Sequence, residues 1–345
     1  MPRKRVTIAA LLVMVLAFGC ASAQDRPIRG LISNLLPDRD QPFDTTQDTV
    51  PGTALGSALE SGALQFMTMT HQGRERSYFI HVPANLQGVS NVPAVMIFHG
   101  GEGDGRNAES ASRLSLAAAA GGFVAVFPNS PGQQWNDGRS TTASEYDDVG
   151  FVRALIGELQ TRNGVDPNRV FAAGMSNGGM FTQRLACEAS GVFRAYAVGI
   201  ANLPRDLEGR CFPSQPVSMI FFNGTADRLM PFEGGEIATS RLMRAGVGGA
   251  VLSRAATQRF WTERNGCLPG SGPQPLPDLA DDGTSVRFEE ITGCRGGAVL
   301  QFYTIEGGGH TWPGATVGGS RFAGLVSQEV NATWEIISFF RRFGL

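Results

Sequence analysis

FAAGMSNGGM, Phe171–Met180, is the stretch on which the reading of the chain turns. Ser176 lies in the middle of Gly174-Met175-Ser176-Asn177-Gly178, a G-x-S-x-G spacing. The apolar run RVFAAG leads into it, and the helix-forming stretch NGGMFTQRLACEAS follows. A serine at a sharp strand-to-helix turn is pushed out of the sheet and exposed. Its neighbours must be small, because the strand and helix backbones pass close together there. Gly174, Gly178 and Gly179 meet that demand. In a chain with 45 glycines, the same spacing is also what a glycine-rich connection with an idle serine would look like. The decision rests on what surrounds the turn.

Outward from Ser176, short apolar runs recur: VPAVMIFHG, GFVAVFPNS, AYAVGI and VSMIFFNG. They are rich in β-branched and aromatic residues and most end at glycine or a polar turn, as strands buried on both faces of a parallel sheet do. Helical stretches separate them. AESASRLSLAAAAGG stops at a glycine pair, and DDVGFVRALIGELQTRNG carries an apolar stripe with two aspartates at its start. SQEVNATWEIISFFRRF closes the chain, with a serine in the capping position and arginines in its last turn. Ahead of these, LQFMTMTHQGRERSYFIHVP reads as an antiparallel hairpin around Gln72-Gly73. The predicted class is α/β, with a mostly parallel central sheet, an N-terminal antiparallel hairpin and helices on both faces. Residues 228–298 are less regular, with the helix-like TQRFWTERNGC and a strand at SVRFEEITG, and read as an elaboration of the same domain.

A nucleophilic serine needs a base, and in this turn geometry its partners follow in the order serine, acid, histidine. The chain has four histidines, and His71, His81 and His99 precede the turn. His310 alone follows it, in YTIEGGGHTWPG after an apolar run and three glycines. Between Ser176 and His310, VSMIFFNGTADRLMPF places Asp227 just beyond a strongly apolar run, where a carboxylate can fix an imidazole's tautomer. Asp206, Glu233, Asp278, Asp281 and Asp282 follow no buried-looking strand so directly. Oxyanion donors are expected from the backbone N–H of Asn177 and from the loop His99-Gly100-Gly101, with Gly101 the choice within it. Trp135 and Trp312 are candidates for a flat substrate wall. Asp147 and Asp148 read as a helix start, and Trp334 as core.

The 345 residues suffice for a full core. With 29 basic and 31 acidic residues, and no basic tract outside the N-terminus, nothing points to nucleic acid as a partner. The opening MPRKRVTIAALLVMVLAFGCASAQD has the basic start, short apolar run and small-x-small pattern of a signal peptide over residues 1–23, while Cys20 leaves lipidation open. Removing 1–23 takes away three positive charges and no negative ones, leaving a chain acidic by about five, with no stable membrane span after processing. A polar leader follows over 24–60, and the remaining domain covers 61–345. The localisation read here is secreted, periplasmic or extracellular. Cys187, Cys211, Cys267 and Cys294 then form an even set in an exported chain. Three pairings exist, and Cys187–Cys211 with Cys267–Cys294 closes the most local loops.

Together, IFHGG, WNDG with DDVGFV, GMSNGGM, FNGTADRLMPFEGG and GGGHTWPG resemble the esterase and polyhydroxybutyrate depolymerase family, which includes feruloyl and acetylxylan esterases. The resemblance runs from about residue 70 to 340. It implies an α/β-hydrolase fold, a secreted serine esterase with no cofactor and no metal, a Ser176–Asp227–His310 triad, and an oxyanion site at Gly100-Gly101 and Asn177. The implied partner is an ester: an oligo- or polyester, or an acylated polysaccharide. A non-catalytic secreted binding protein and a peptidase on the same fold are the competing readings.

Overall fold

A computed structural model describes residues 63–238 and 248–345. The signal-peptide and leader readings for 1–23 and 24–60, Cys20 included, lie outside the described residues.

The first strands are β1 (Gln65–His71) and β2 (Arg74–His81), paired in register from Gln65 opposite Ile80 to His71 opposite Arg74. Gln72 and Gly73 both have positive φ, 50° and 74°, the backbone twist a two-residue hairpin turn needs. β3 (Val92–Phe98), the helices α1 (Gly105–Ser112) and α2 (Leu114–Gly121), and β4 (Val124–Pro128) come next. Then follow α3 (Asp148–Asn163), β5 (Val165–Met175), α4 (Asn177–Glu188), β6 (Tyr196–Gly199), the short α5 (Arg205–Glu208) and β7 (Met219–Gly224). A small ribbon of β8 (Gly235–Glu236) and β9 (Ala250–Val251) precedes α6 (Arg254–Asn265). β10 (Gln274–Pro275), β11 (Ser285–Ile291), β12 (Leu300–Glu306) and α7 (Ala332–Arg341) complete the described chain.

The large sheet runs β1-β2-β4-β3-β5-β6-β7-β12-β11-β10. Its middle, β4 to β12, is parallel, and antiparallel strands close both edges. The expected parallel sheet and N-terminal hairpin are present. The second antiparallel edge is an addition: SVRFEEI pairs back onto β12 and carries the sheet outward. Strand alternation divides the core. Ala94, Met96, Phe98, Val170 and Ala172 face α3, α4 and α6, while Val95, Ile97, Phe171 and Ala173 face α1, α2 and α7. This places helices on both faces of an α/β sheet.

Two sequence expectations change. AESASRLSLAAAAGG is broken at Arg113, which takes a left-handed conformation with φ 50°. The cause is local: Ser112 Oγ donates to the Ala108 carbonyl at 2.6 Å and accepts from Leu114 N–H at 3.3 Å, so the chain turns instead of continuing. The last helix is capped by Asn331, whose side chain accepts from Trp334 N–H, not by Ser327, which bonds Thr284.

β3 sends its connection to one side through β4, and the chain then returns to lay β5 on the other side. Such a reversal leaves a crevice beyond the carboxyl ends of the two adjacent strands. The loop after β3 and the turn after β5 both open there. The disulfides Cys187–Cys211 and Cys267–Cys294 have the expected pairing. Each closes a loop of moderate length, with separations of 24 and 27 residues. Replacing Cys187 and Cys211 together by serine is expected to lower unfolding free energy by about 2–4 kcal/mol, measured by urea denaturation against the intact chain.

Candidate active site

Ser176 occupies the junction of β5 and α4 with φ 55° and ψ −120°, a backbone state that is strained for a residue with a side chain. Glycines make the junction possible. A Cβ on Gly174 would overlap the Gly178 carbonyl, and one on Gly178 would overlap the Phe98 carbonyl, so strand, helix and neighbouring strand meet backbone to backbone. Ser176 N–H donates to the Gly199 carbonyl at 2.9 Å, which ties the turn to β6. Held in this way, the hydroxyl projects into the crevice.

His310 follows β12 after Gly307, Gly308 and Gly309. Gly307 has φ 74°, and Gly309 lies where any side chain would strike the Ala323 carbonyl. Gly309 N–H and Thr311 Oγ1 both donate to the Leu325 carbonyl, at 3.1 and 2.7 Å. The glycines therefore allow one loop to be zipped against another, which fixes the imidazole.

Asp227 lies just past β7. Its Oδ1 accepts from the N–H groups of Leu229 and Met230, both at 2.8 Å, and its Oδ2 lies 2.7 Å from His310 Nδ1. A carboxylate only accepts, so Nδ1 carries the proton and Nε2 is left with its lone pair. Nε2 is 2.9 Å from Ser176 Oγ. Hydroxyl, imidazole and carboxylate form one hydrogen-bonded line, with the Asp227 and His310 side chains 3% and 12% exposed. A line of this kind can move a proton off the hydroxyl as it attacks an electrophile.

The line opens on a cleft of about 540 Å³. Met175, Met180, Ile200, Leu229, Met230 and Ile237 give it apolar walls. Gly100 and Gly101 form one lip, and the space for a Cβ on Gly100 lies 3.4 Å from Ser176 Cβ. Asn177 opens α4, so its N–H cannot be satisfied within the helix and faces the region where the helix dipole favours negative charge.

Comparison with known proteins gives the same direction. The chain is 30% identical over 252 residues to a protein of Nocardia uniformis subsp. tsuyamanensis that carries the name esterase NocK, covering 71% of this chain and 72% of the relative. The chain belongs to the esterase family that includes feruloyl esterases. Feruloyl esterase B of Piromyces equi is 30% identical over 243 residues, which cover 68% of this chain and 42% of that protein. The acetyl xylan esterase from Aspergillus awamori superposes with a TM-score of 0.51 at 17% identity, over 72% of this chain and 94% of its own, which establishes the α/β-hydrolase fold. No protein-family model matches the chain.

The structure of this family member corrects one expected role. Trp135 is fully buried, stacked on Phe181 at 4.8 Å and edge-on to Phe98 at 5.2 Å, so it is core and offers no face to a ligand. Trp312 does line the cleft, with its Nε1 donating to Thr333 Oγ1 at 3.0 Å. Sequence reasoning missed Asp137, although it stands in the quoted stretch WNDG, and Arg139, which directly follows that stretch. Asp137 is fully buried and paired with Arg139, which lines the cleft. Among the described residues, no cluster of three histidine, cysteine or acidic side chains could hold a metal ion, and no helix is long and apolar enough to cross a membrane.

His99 precedes the turn and so is no candidate base, yet it serves the site. Its Nδ1 donates to the Gly100 carbonyl at 2.7 Å, and its Nε2 accepts from Ser130 N–H at 3.1 Å. It thereby braces the lip of the cleft. Burial holds its pKa below the ordinary histidine value. A base whose folded pKa is depressed stabilises the fold above its unfolded pKa, about 6.5, and that contribution is lost as pH falls through and below it. Stability measured by urea unfolding at pH 7.5 and pH 5 should therefore fall more in the wild type than in His99→Asn. Equal losses in the two proteins would contradict this assignment.

Proposed function

We propose that the chain is a serine carboxylic-ester hydrolase that works through an acyl-enzyme. The observation that carries the reading is the continuous hydrogen-bonded line from Ser176 Oγ through His310 to Asp227. Ser176 Oγ attacks the ester carbonyl carbon while His310 Nε2 takes its proton. The tetrahedral intermediate collapses, the bond to the alcohol oxygen breaks, and His310 returns the proton to the leaving alcohol. Water then attacks the acyl carbon, again giving its proton to His310, and the acid leaves as the proton goes back to Ser176. Asp227 holds the tautomer and stabilises the transient imidazolium. The backbone N–H groups of Gly101 and Asn177 receive the oxyanion.

Relatives named feruloyl esterase favour an acylated plant polysaccharide as substrate. A second reading, a hydroxybutyrate-type oligoester, is favoured by the methionine, leucine and isoleucine lining of the cleft, which suits an aliphatic acyl chain. Export through the N-terminal segment is part of the proposal, supported by the two disulfides, which persist in oxidising compartments. A non-catalytic binding protein would have no use for the proton-transfer line.

Ser176→Ala is expected to lower kcat for p-nitrophenyl butyrate by at least about 10⁴-fold. Turnover equal to wild type would remove the serine mechanism. A kcat/KM panel of methyl ferulate, acetylated xylan and hydroxybutyrate oligomers then separates the substrate readings, with the highest value expected for one of the two polysaccharide-type esters. Cleavage of peptides but not esters would move the chain to the peptidases.

A further inference from the structure

The segment Trp135–Arg139 has no part in the proton-transfer line, yet it grips the residue that follows the serine. The side chain of Asn177, 3% exposed, makes three hydrogen bonds to it. Oδ1 accepts from Trp135 N–H at 2.7 Å, and Nδ2 donates to the Trp135 carbonyl at 3.0 Å and to Asp137 Oδ2 at 2.6 Å. The orientation of the carboxamide is forced, because a backbone N–H needs the oxygen and a carboxylate needs the nitrogen.

The segment itself is anchored from behind. Asn136 N–H donates to Asp148 Oδ2 at 2.9 Å, and Asp148 is paired with Arg76 at 2.8 Å. The Asn136 carbonyl accepts from Arg184 at 2.7 Å, and the Trp135 ring is stacked on Phe181 of α4. Asp137 accepts from Thr142 Oγ1 at 2.7 Å, from the Arg139 backbone N–H and from two nitrogens of the Arg139 guanidinium, which also reaches the Gly248 carbonyl. A buried ion pair does little for stability compared with apolar residues of the same volume, so its presence asks for another reason. Its location supplies one. Arg139 cancels the Asp137 charge, so the carboxylate can hold Asn177 without opposing a negative charge that develops beside the Asn177 backbone.

We propose that the Asn177 carboxamide and the Asp137 carboxylate form a clamp that sets the Asn177 backbone N–H in line with the oxyanion. Both side chains are positioning residues, and the proposal rests on the acyl-enzyme reading above. Contacts realised only in the transition state change kcat more than KM. The test is Asn177→Ala, which keeps the backbone donor and removes the clamp. With p-nitrophenyl butyrate, kcat should fall about 10- to 100-fold while KM moves less than about 3-fold, since a small misplacement of a catalytic group has effects of this size. Affinity for phenylboronic acid, which forms a tetrahedral adduct on a nucleophilic serine, should weaken by the same factor.

A residue that only stabilises the fold would lower the melting temperature and leave kcat and boronate affinity within about 2-fold, and that result overturns the proposal. If Asn177→Ala does not fold, Asp137→Leu with Arg139→Met removes the ion pair by volume and leaves Asn177 intact. The same loss of kcat and boronate affinity supports the clamp, and wild-type values for both overturn it. Ser176→Ala with undiminished turnover would instead remove the acyl-enzyme reading, so the two failures are distinguishable.

Discussion

Everything at the candidate site depends on a backbone constraint: β5, α4 and the end of β3 approach so closely at Gly174 and Gly178 that no side chain fits between them. That approach leaves Ser176 in a strained conformation, with φ 55°, and turns its hydroxyl away from the sheet. Strain of this size persists only where the surroundings over-determine it. Here the surroundings are a bond from Ser176 N–H to β6 and the first turn of α4 closing on the Ser176 carbonyl.

The sheet then brings the remaining groups together. β7 and β12 are parallel neighbours, so the loops that leave their carboxyl ends emerge side by side, and Asp227 and His310 come within 2.7 Å despite a sequence separation of 83. Ala226 N–H bonds the Gly308 carbonyl at 2.9 Å, which couples the two loops through their backbones and not only through the Asp227–His310 hydrogen bond. The result is preorganisation: the imidazole is oriented by its partners before any substrate arrives. His99 behind the Gly100 lip and Asn177 with Asp137 behind the helix start hold that edge of the cleft from the other side.

The central strands were legible because each is buried on both faces and so reads as an unbroken apolar run. Ser176, Asp227 and His310 were legible from their order and from the strand ends they follow. Trp135 was misjudged because a tryptophan in a polar, glycine-flanked stretch looks exposed, and nothing local reveals that Phe181 and Phe98 wait to cover it. Asp137 is invisible for a related reason: Arg139 and Thr142 are close in sequence but Asn177 lies 40 positions on, and only their convergence makes a buried carboxylate tolerable. The break at Arg113 hid in a good helix-forming sequence, because a serine hydroxyl competing for backbone groups is a geometric event that propensity does not record.

The most direct test of the central claim is chemical labelling. Diisopropyl fluorophosphate reacts with a serine only when a neighbouring base activates it, and peptide mass spectrometry locates the adduct. About one label per chain is expected, on Ser176, lost in His310→Ala while circular dichroism stays native. Labelling at another residue, or labelling of Ser176 that survives removal of the imidazole at an unchanged rate, would contradict it.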